Sequence, residues 1–400
     1  MTNDRLFNAN YLKVWSANFM IFFSFMLVMP LLPLYLSDQF GAGKHTIGLI
    51  LSGYTVTALA ARLFSGYIVD TFPRRTVLLL SYSLFAFFFL GYIAGGTLLL
   101  FAIVRTLHGA PFGLTTVANS TVAIDVLPSS RRAEGIGYYG LSNNLATAIS
   151  PSVGLYMYEV WGDYQLIFAL AFVMSVIGVV INSTVKHPKL ETSVAKTASG
   201  ATTRSKFSLD RVFLPHALGL GMVMACLSFS YGVLSTYLAI YSKEVMGVTS
   251  GTGVFFLILS LGLMFSRLVG GRTLRKGLVV ENASVGMCIS VFSYLLFVLV
   301  PNYWGYFGCA IILGLGNGHM FPAVQTMFVN LAPHERRGTA NASLLTSWDV
   351  GIGLGVVLGG VASELINYQA AFWLAWLVNV MGVVLFFAHV RQHYKRNRLR

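Results

Sequence analysis

The sequence predicts an all-α polytopic membrane protein with twelve transmembrane helices arranged as two pseudo-symmetric six-helix bundles. Three observations predict this fold class. Hydrophobic residues make up 56% of the 400-residue chain and charged residues only 10%, whereas a soluble globular chain averages about 25% charged residues. Twelve apolar runs are long enough to cross the hydrocarbon core of a bilayer. The two halves of the chain also repeat each other's motifs.

Each predicted span is an apolar run bounded by polar, Gly or Pro residues. In chain order, spans 1 to 12 cover residues 12–36, 46–69, 76–95, 98–124, 135–159, 164–185, 212–242, 250–271, 278–300, 303–330, 338–364 and 368–390. A polar, basic linker at residues 186–210 separates an N-terminal bundle, residues 1–185, from a C-terminal bundle with a basic tail, residues 211–400. We expect the linker and tail to contact anionic lipid headgroups of the bilayer.

The distribution of cations predicts the orientation of the chain, because Lys and Arg are retained on the cytoplasmic side during insertion. A cytoplasmic amino terminus places all but five of the 27 Lys and Arg residues inside. The five exceptions are Lys44 and Lys243 on the outside, and Arg62, Arg105 and Arg267 within spans. We therefore expect an integral, multi-pass protein with both termini cytoplasmic. Separately from this orientation, we expect the membrane to be a bacterial inner membrane.

Several function classes are disfavoured. The net charge of +13 does not indicate a nucleic-acid partner, because no polar module gathers the cations on one face. The cysteines Cys226, Cys288 and Cys309 lie in apolar runs without the spacing of metal ligands. The chain has no GxxxxGK[ST], HExxH or GxSxG motif. We expect no metal, no cofactor and no enzymatic activity, and a monomeric chain.

The internal repeat indicates a transporter. A shift of 205 residues places Arg62, Gly66, Gly113, Pro128, Arg132 and Gly154 on Arg267, Gly271, Gly318, Pro333, Arg337 and Gly359. A chance match of two apolar segments would align Leu and Val rather than the Pro-x-x-Arg-Arg turns. Parallel six-helix repeats are typical of secondary transporters, whose substrate site lies near the bilayer midplane.

The loop between spans 2 and 3 carries the clearest motif, Gly-Tyr-Ile-Val-Asp-Thr-Phe-Pro-Arg-Arg at residues 66–75. It resembles the loop signature of the major facilitator superfamily, with Pro73 where that family usually has Gly, and the resemblance covers the whole chain. It implies a twelve-helix fold and a cytoplasmic gate. Asp70 can accept hydrogen bonds from Arg74 and Arg75 and face the positive amino terminus of a helix in the other half. The alternative is a solvated turn whose arginines serve only topology.

The gating residues that we predict, with Asp125 joining the charge cluster, are Arg62, Gly66, Asp70, Arg74, Arg75, Asp125, Pro151, Gly154 and Arg267. Pro151 and Gly154 lie in Ala146–Leu155, which is similar to the glycine-rich Gly-Pro segment of antiporters in this superfamily. This resemblance favours export over import. The alternative is ordinary tight packing of small residues.

In span 4, Arg105-Thr-Leu-His108-Gly is similar to the family's Arg-x-x-Gln-Gly signature, with His108 at the Gln position. An Arg inside the hydrocarbon zone costs at least ~2.5 kcal/mol unless it faces water or a partner. Arg105 could hold an anionic group of a substrate or favour the ionised form of a neighbouring acid. The alternative is a structural hydrogen bond to backbone carbonyls.

Asp349 in span 11 is the one acid well inside a predicted span. Its repeat counterpart is Asn144. Because ionising a carboxylate costs free energy in a low dielectric, Asp349 is our first candidate for proton coupling and His108 the second. The alternative for Asp349 is a static ion pair with Arg62.

The substrate cavity is predicted from aromatic, Met and amide residues, namely Phe22, Met26, Arg105, Asn119, Asn143, Asn144, Phe229 and Gln325. The resemblance to the drug:proton antiporter branch implies a proton-coupled efflux transporter of small amphipathic molecules or drugs. The alternatives are a proton symporter that imports a sugar or another nutrient, and an exporter of a metabolite, metallophore or lipid. The partners expected are a small-molecule substrate, protons and the lipid bilayer.

Overall fold

The computed structural model describes residues 6–186, 213–247 and 252–399. The predicted linker at 186–210 lies, apart from Lys186, outside the described residues. The α-helices of the described chain are α1 Ala9–Val28, α2 Leu32–Phe40, α3 Lys44–Thr71, α4 Arg74–Ala94, α5 Leu98–Val126, α6 Arg132–Trp161, α7 Tyr164–Ser183, α8 Leu218–Glu244, α9 Thr252–Arg275, α10 Val279–Leu299, α11 Tyr303–Asn330, α12 Arg337–Leu365, α13 Tyr368–Leu385 and α14 Arg391–Asn397.

Twelve of these helices, α1 and α3 to α13, have between 18 and 30 residues, enough to cross a bilayer. The predicted fold class, an all-α membrane protein with twelve long helices, is therefore confirmed. Eleven helices of the described chain are also apolar enough along their length to span a membrane. The remaining helix is α6. Its apolar sequence is interrupted near the middle by polar residues such as Asn143 and Asn144.

Predicted span 1 is two helices rather than one. A turn at Met29–Leu31 separates α1 from α2, and the Leu31 amide donates to the Val28 carbonyl at 3.0 Å. Pro30 has no N–H and cannot continue the hydrogen-bond ladder of α1. Pro33 lies in the first turn of α2, where a missing donor is tolerated. The two prolines therefore place an irregular backbone segment at the end of α1.

The chain folds into two compact units. Unit 1 comprises Met1–Ser129, Leu145–Pro215 and Glu335–Ala342, and unit 2 comprises Ser130–Asn144, His216–His334 and Ser343–Arg400. The sequence placed the division at the linker. The units differ from that division because the first turns of α6 group with unit 2 and the first turns of α12 group with unit 1.

Aromatic clusters fill the core of each unit at equivalent positions of the repeat. In unit 1 the rings of Tyr92 and Phe101 lie with their centroids 5.0 Å apart. In unit 2 their counterparts at the 205-residue shift, Phe297 and Tyr306, lie 6.4 Å apart. The sequence repeat therefore corresponds to a repeat in packing. Polar groups that occur in only one unit are departures from this repeat.

Candidate functional site

The carboxylate of Asp70, at the end of α3, caps the amino terminus of α12 within unit 1. Its Oδ1 accepts from the Gly338 amide at 2.8 Å, and its Oδ2 accepts from the amide and the hydroxyl of Thr339, both at 2.7 Å. Because α12 begins at Arg337, these amides have no partner inside the helix. A negative charge at this position also interacts favourably with the helix dipole.

Gly66 allows this close approach. A Cβ atom at Gly66 would lie 2.6 Å from the Thr339 Cα, a separation that no side chain tolerates without a backbone shift. The glycine of the loop motif is therefore explained by packing of the last turns of α3 against the first turn of α12.

A second carboxylate, Asp125 at the end of α5, joins two buried arginines. Arg74 donates from Nη1 to Asp125 Oδ2, and Arg337 donates from Nη1 to Asp125 Oδ1 at 3.0 Å. Arg74 Nη2 also lies 3.4 Å from Asp70 Oδ1. We call these residues together with Thr339 the Asp70–Asp125 network. Its two carboxylates balance its two guanidinium groups, which is how buried charges are tolerated.

The network contains two residues that were not predicted from the sequence. One residue that was predicted to belong to it lies elsewhere. Arg337 and Thr339 were not predicted, although Arg337 stands in the repeated Pro-x-x-Arg-Arg turn. Arg75 was predicted to bind Asp70 but is exposed, and it donates from Nη2 to the Ser183 carbonyl at 2.8 Å. Consecutive residues of a helix point about 100° apart, so Arg74 and Arg75 cannot serve the same carboxylate.

The two other predicted arginines lie in separate units. Arg62 of α3 is 7% exposed, and its Nη2 donates to Thr116 Oγ1 at 3.2 Å within unit 1. Arg267 of α9 lies against Gly140 of α6 within unit 2, where its guanidinium occupies the space of a Cβ. The predicted ion pair of Arg62 with Asp349 stays a prediction.

Arg105 of α5 is buried in unit 1 among aromatic rings and is 1% exposed. Its Nη1 donates to the Tyr92 hydroxyl at 3.0 Å, and its Nη2 contacts the Met29 sulfur at 3.1 Å. Its Cζ lies 4.0 Å from the centroid of the Tyr54 ring, a cation–π contact. No ion pair joins Arg105 to a carboxylate in the described chain.

His108 lies one turn from Arg105 and is fully buried. Its Nδ1 is 2.7 Å from the Tyr92 hydroxyl oxygen. The same hydroxyl accepts from Arg105, so Tyr92 joins the guanidinium to the imidazole. This arrangement favours a structural role for His108, which orients Tyr92 and Arg105. We call Met29, Tyr54, Tyr92, Arg105 and His108 the Arg105 cluster.

Asn119, predicted to line the cavity, instead ties three helices together inside unit 1. It is 0% exposed. Its Nδ2 donates to Asn18 Oδ1 at 3.2 Å, and its Oδ1 accepts from Asn182 Nδ2 at 3.1 Å. The geometry corrects the cavity assignment, because hydrogen bonds to α1 and α7 occupy both ends of this amide.

The other predicted cavity residues divide between the units. In unit 1, Phe22 makes an edge contact with Phe112 at 5.8 Å, and Met26 packs against the same aromatic core. In unit 2, Phe229 is 5% exposed and Gln325 is 7% exposed, so both are buried. Asn143 and Asn144, also of unit 2, are half-buried on α6. Their roles in a cavity stay predictions.

Gly154 brings α6 and α1 into contact within unit 1. A Cβ at Gly154 would overlap the Leu27 carbonyl oxygen. The second half shows the same device, since a Cβ at Gly355 of α12 would overlap the carbonyl oxygen of Phe229 on α8. Pro151 lies inside α6, which remains one continuous helix. The close approach is a feature of packing, and a pivot at Pro151 stays a prediction.

Asp349 lies in the middle of α12 within unit 2 and is half-buried. Its neighbour Trp348 contacts the rings of Tyr231 and Phe321 at centroid distances of 5.6 and 5.4 Å. Among the described residues, Asp349 is the one carboxylate in the middle of a long apolar helix.

Comparison with known proteins gives the family. The model of the Major Facilitator Superfamily matches residues 14–280 and 283–399. The chain is 23% identical over 375 residues to the quinolone resistance protein NorA of Staphylococcus aureus (strain MRSA252), covering 92% of this chain and 93% of that protein. It is 22% identical over 394 residues to the staphylopine export protein of Staphylococcus aureus (strain Mu50 / ATCC 700699), covering 94% of each.

A solved structure shows the same fold. The crystal structure of the human organic anion transporter MFSD10 (TETRAN) matches with a TM-score of 0.76 at 16% sequence identity, covering 94% of this chain and 98% of that chain. The twelve long helices, the sequence repeat and a family match along nearly the whole chain agree with one another. The chain belongs to the major facilitator superfamily and is a multi-pass membrane transporter.

Proposed function

We propose that the chain is a proton-coupled exporter of small amphipathic molecules that works by alternating access, with both termini in the cytoplasm of a bacterial cell. The observation that carries the proton coupling is the position of Asp349, a half-buried carboxylate in the middle of α12. Two relatives bear names of resistance and export, which supports the outward direction of transport.

Binding of a proton neutralises the charge of the Asp349 carboxylate. An ionised carboxylate in a poorly hydrated position loses solvation free energy, and protonation removes that cost. Protonation from outside and release inside would therefore give the two protonation states different preferred conformations. Such a difference is what couples a proton gradient to a conformational equilibrium.

The Asp70–Asp125 network is the proposed inner latch. Its arginines belong to the basic loops that we assign to the cytoplasm. The carboxylate of Asp70 holds the first turn of α12, the same helix that carries Asp349. In this proposal, a change of preferred conformation at Asp349 reaches the latch along α12.

The experiment is transport of ethidium by the purified protein in proteoliposomes with an imposed pH difference. Antiport predicts that an acidic lumen drives ethidium inward while protons leave, and that the movement stops when the pH difference is collapsed. Protein-free liposomes are the control. Accumulation that requires an acidic outer solution would indicate symport instead, and transport that ignores the pH difference would contradict proton coupling.

A further inference from the structure

We propose that the Arg105 cluster binds the carboxylate of an amphipathic, aromatic substrate, and that Met29 covers Arg105 until the substrate arrives. This inference rests on the proposed transport function and names the substrate class. It concerns unit 1 alone.

The first argument is the missing counter-ion. A guanidinium that is 1% exposed is costly unless it is paired with a charge. In the described chain Arg105 has only a hydroxyl, a thioether and ring faces as partners. A thioether is a weak hydrogen-bond acceptor, so the Nη2 donors of the Arg105 guanidinium are poorly satisfied. A carboxylate would satisfy it with two charge-assisted hydrogen bonds.

The second argument is a group of unused polar atoms in the same place. The Tyr54 hydroxyl and Arg105 Nε have no hydrogen-bond partner among the described residues, and both residues are more than nine-tenths buried. Each of these atoms can donate. Buried donors are normally satisfied, and a bound anion would provide acceptors for them.

The third argument comes from the repeat. Met29, Tyr54, Tyr92, Arg105 and His108 correspond at the 205-residue shift to Leu234, Leu259, Phe297, Ala310 and Leu313. These five apolar residues are all buried in the core of unit 2. The fold therefore packs these five positions in unit 2 with apolar side chains. The cation, the imidazole and the two phenols of unit 1 are additions that packing does not require.

The fourth argument is access. Met29 is 36% exposed, whereas Arg105 beneath it is nearly inaccessible. Met29 belongs to the Met29–Leu31 turn rather than to a helix, so its flexible side chain can move without breaking helical hydrogen bonds. A ligand carboxylate that displaces the sulfur would reach Nη2 directly. Its aromatic ring would meet the rings of Tyr54 and Phe25, which already contact each other at 5.3 Å.

The test uses two fluorescent probes that differ only in charge, dansylglycine and its neutral amide, dansylglycinamide. Charge-assisted hydrogen bonds predict that the purified wild-type protein binds dansylglycine about tenfold or more tightly. In Arg105→Gln this ratio falls to about one. Met29→Leu removes the competing sulfur and keeps the preference at or above the wild-type ratio. Thermal unfolding shows whether each variant is folded.

A milder variant covers the case in which Arg105→Gln does not fold. Tyr54→Phe removes one hydroxyl and is expected to reduce the preference for dansylglycine several-fold. Equal binding of the two probes by the wild type, no binding of either, or a preference that survives Arg105→Gln or is unaffected by Tyr54→Phe would overturn the inference. Ethidium has no carboxylate, so its pH-driven transport tests the proposed function separately.

Discussion

The carboxylate of Asp70 binds both the amide and the hydroxyl of Thr339 at 2.7 Å, across 269 residues of sequence. The contact fastens the end of α3 to the start of α12. It also gives the loop motif a physical meaning, because an aspartate one residue before the end of one helix serves as the amino-terminal cap of another. The same helix carries the acid to which we assign proton coupling.

Asp70→Asn should weaken this attachment. The amide keeps one acceptor oxygen but turns an NH₂ group toward donors, so we expect a loss of about 1–3 kcal/mol of stability and slower transport. Thermal unfolding measures the loss of stability, and ethidium transport in proteoliposomes measures the transport rate. The matched control is Asp163→Asn at the exposed cap of α7, which should change stability by less than about 1 kcal/mol. Equal losses in the two variants would contradict the assigned role of Asp70.

Arg74 and Arg75 provide an adjacent pair with opposite expectations. Arg74→Gln removes the partner of both carboxylates in the Asp70–Asp125 network, and breaking a buried ion pair costs about 3–5 kcal/mol. Arg75→Gln removes only an exposed donor to a carbonyl and should cost less than about 1 kcal/mol. Chemical denaturation in detergent compares them. A larger loss for Arg75→Gln would show that the network is misassigned.

Asn119→Leu should destabilise unit 1 without changing which probes are transported. The substitution leaves Asn18 and Asn182 with buried, unsatisfied groups, at a cost of about 1–3 kcal/mol. Asn144 is the comparison, because its Nδ2 has no partner among the described residues, and Asn144→Leu should cost less stability. A variant of Asn119 that is stable but has altered selectivity would restore the cavity role.

Gly154→Ala tests the close approach of α6 and α1. The added methyl group overlaps the Leu27 carbonyl, and such overpacking typically costs about 1–3 kcal/mol. Gly353 is the matched control, since a Cβ there meets nothing within 4 Å, and Gly353→Ala should be neutral or slightly stabilising. The measurement is the melting temperature of each variant. An unchanged melting temperature for Gly154→Ala would exclude a tight contact between α6 and α1.

The fold was largely predictable, because apolar runs and repeated motifs are properties of the sequence itself. The break after Val28 was missed because apolar periodicity continues through Pro30 and Pro33. Asp70 could be placed at a helix terminus from the motif. The identity of its partner Thr339 could not, because a local sequence pattern gives no signal of a contact 269 residues away.

The candidate site was less predictable than the fold. A local sequence pattern shows which residue types are present. It does not show which neighbouring helix each side chain contacts in the fold. Arg74 and Arg75 therefore looked equivalent, and Asn119 looked like Asn144. The absence of a carboxylate beside Arg105 in the described chain is likewise a property of three-dimensional packing. The repeat could have provided one clue, since Arg105 corresponds to Ala310.

The most direct test of proton coupling is ethidium transport by Asp349→Asn in proteoliposomes with and without a pH difference. We expect the variant to exchange ethidium down its own gradient and to lose the stimulation by an acidic lumen. Glu364→Gln, an exposed acid on the same helix, should keep the wild-type stimulation. Stimulation of wild-type size in Asp349→Asn would contradict the assignment of proton coupling to Asp349.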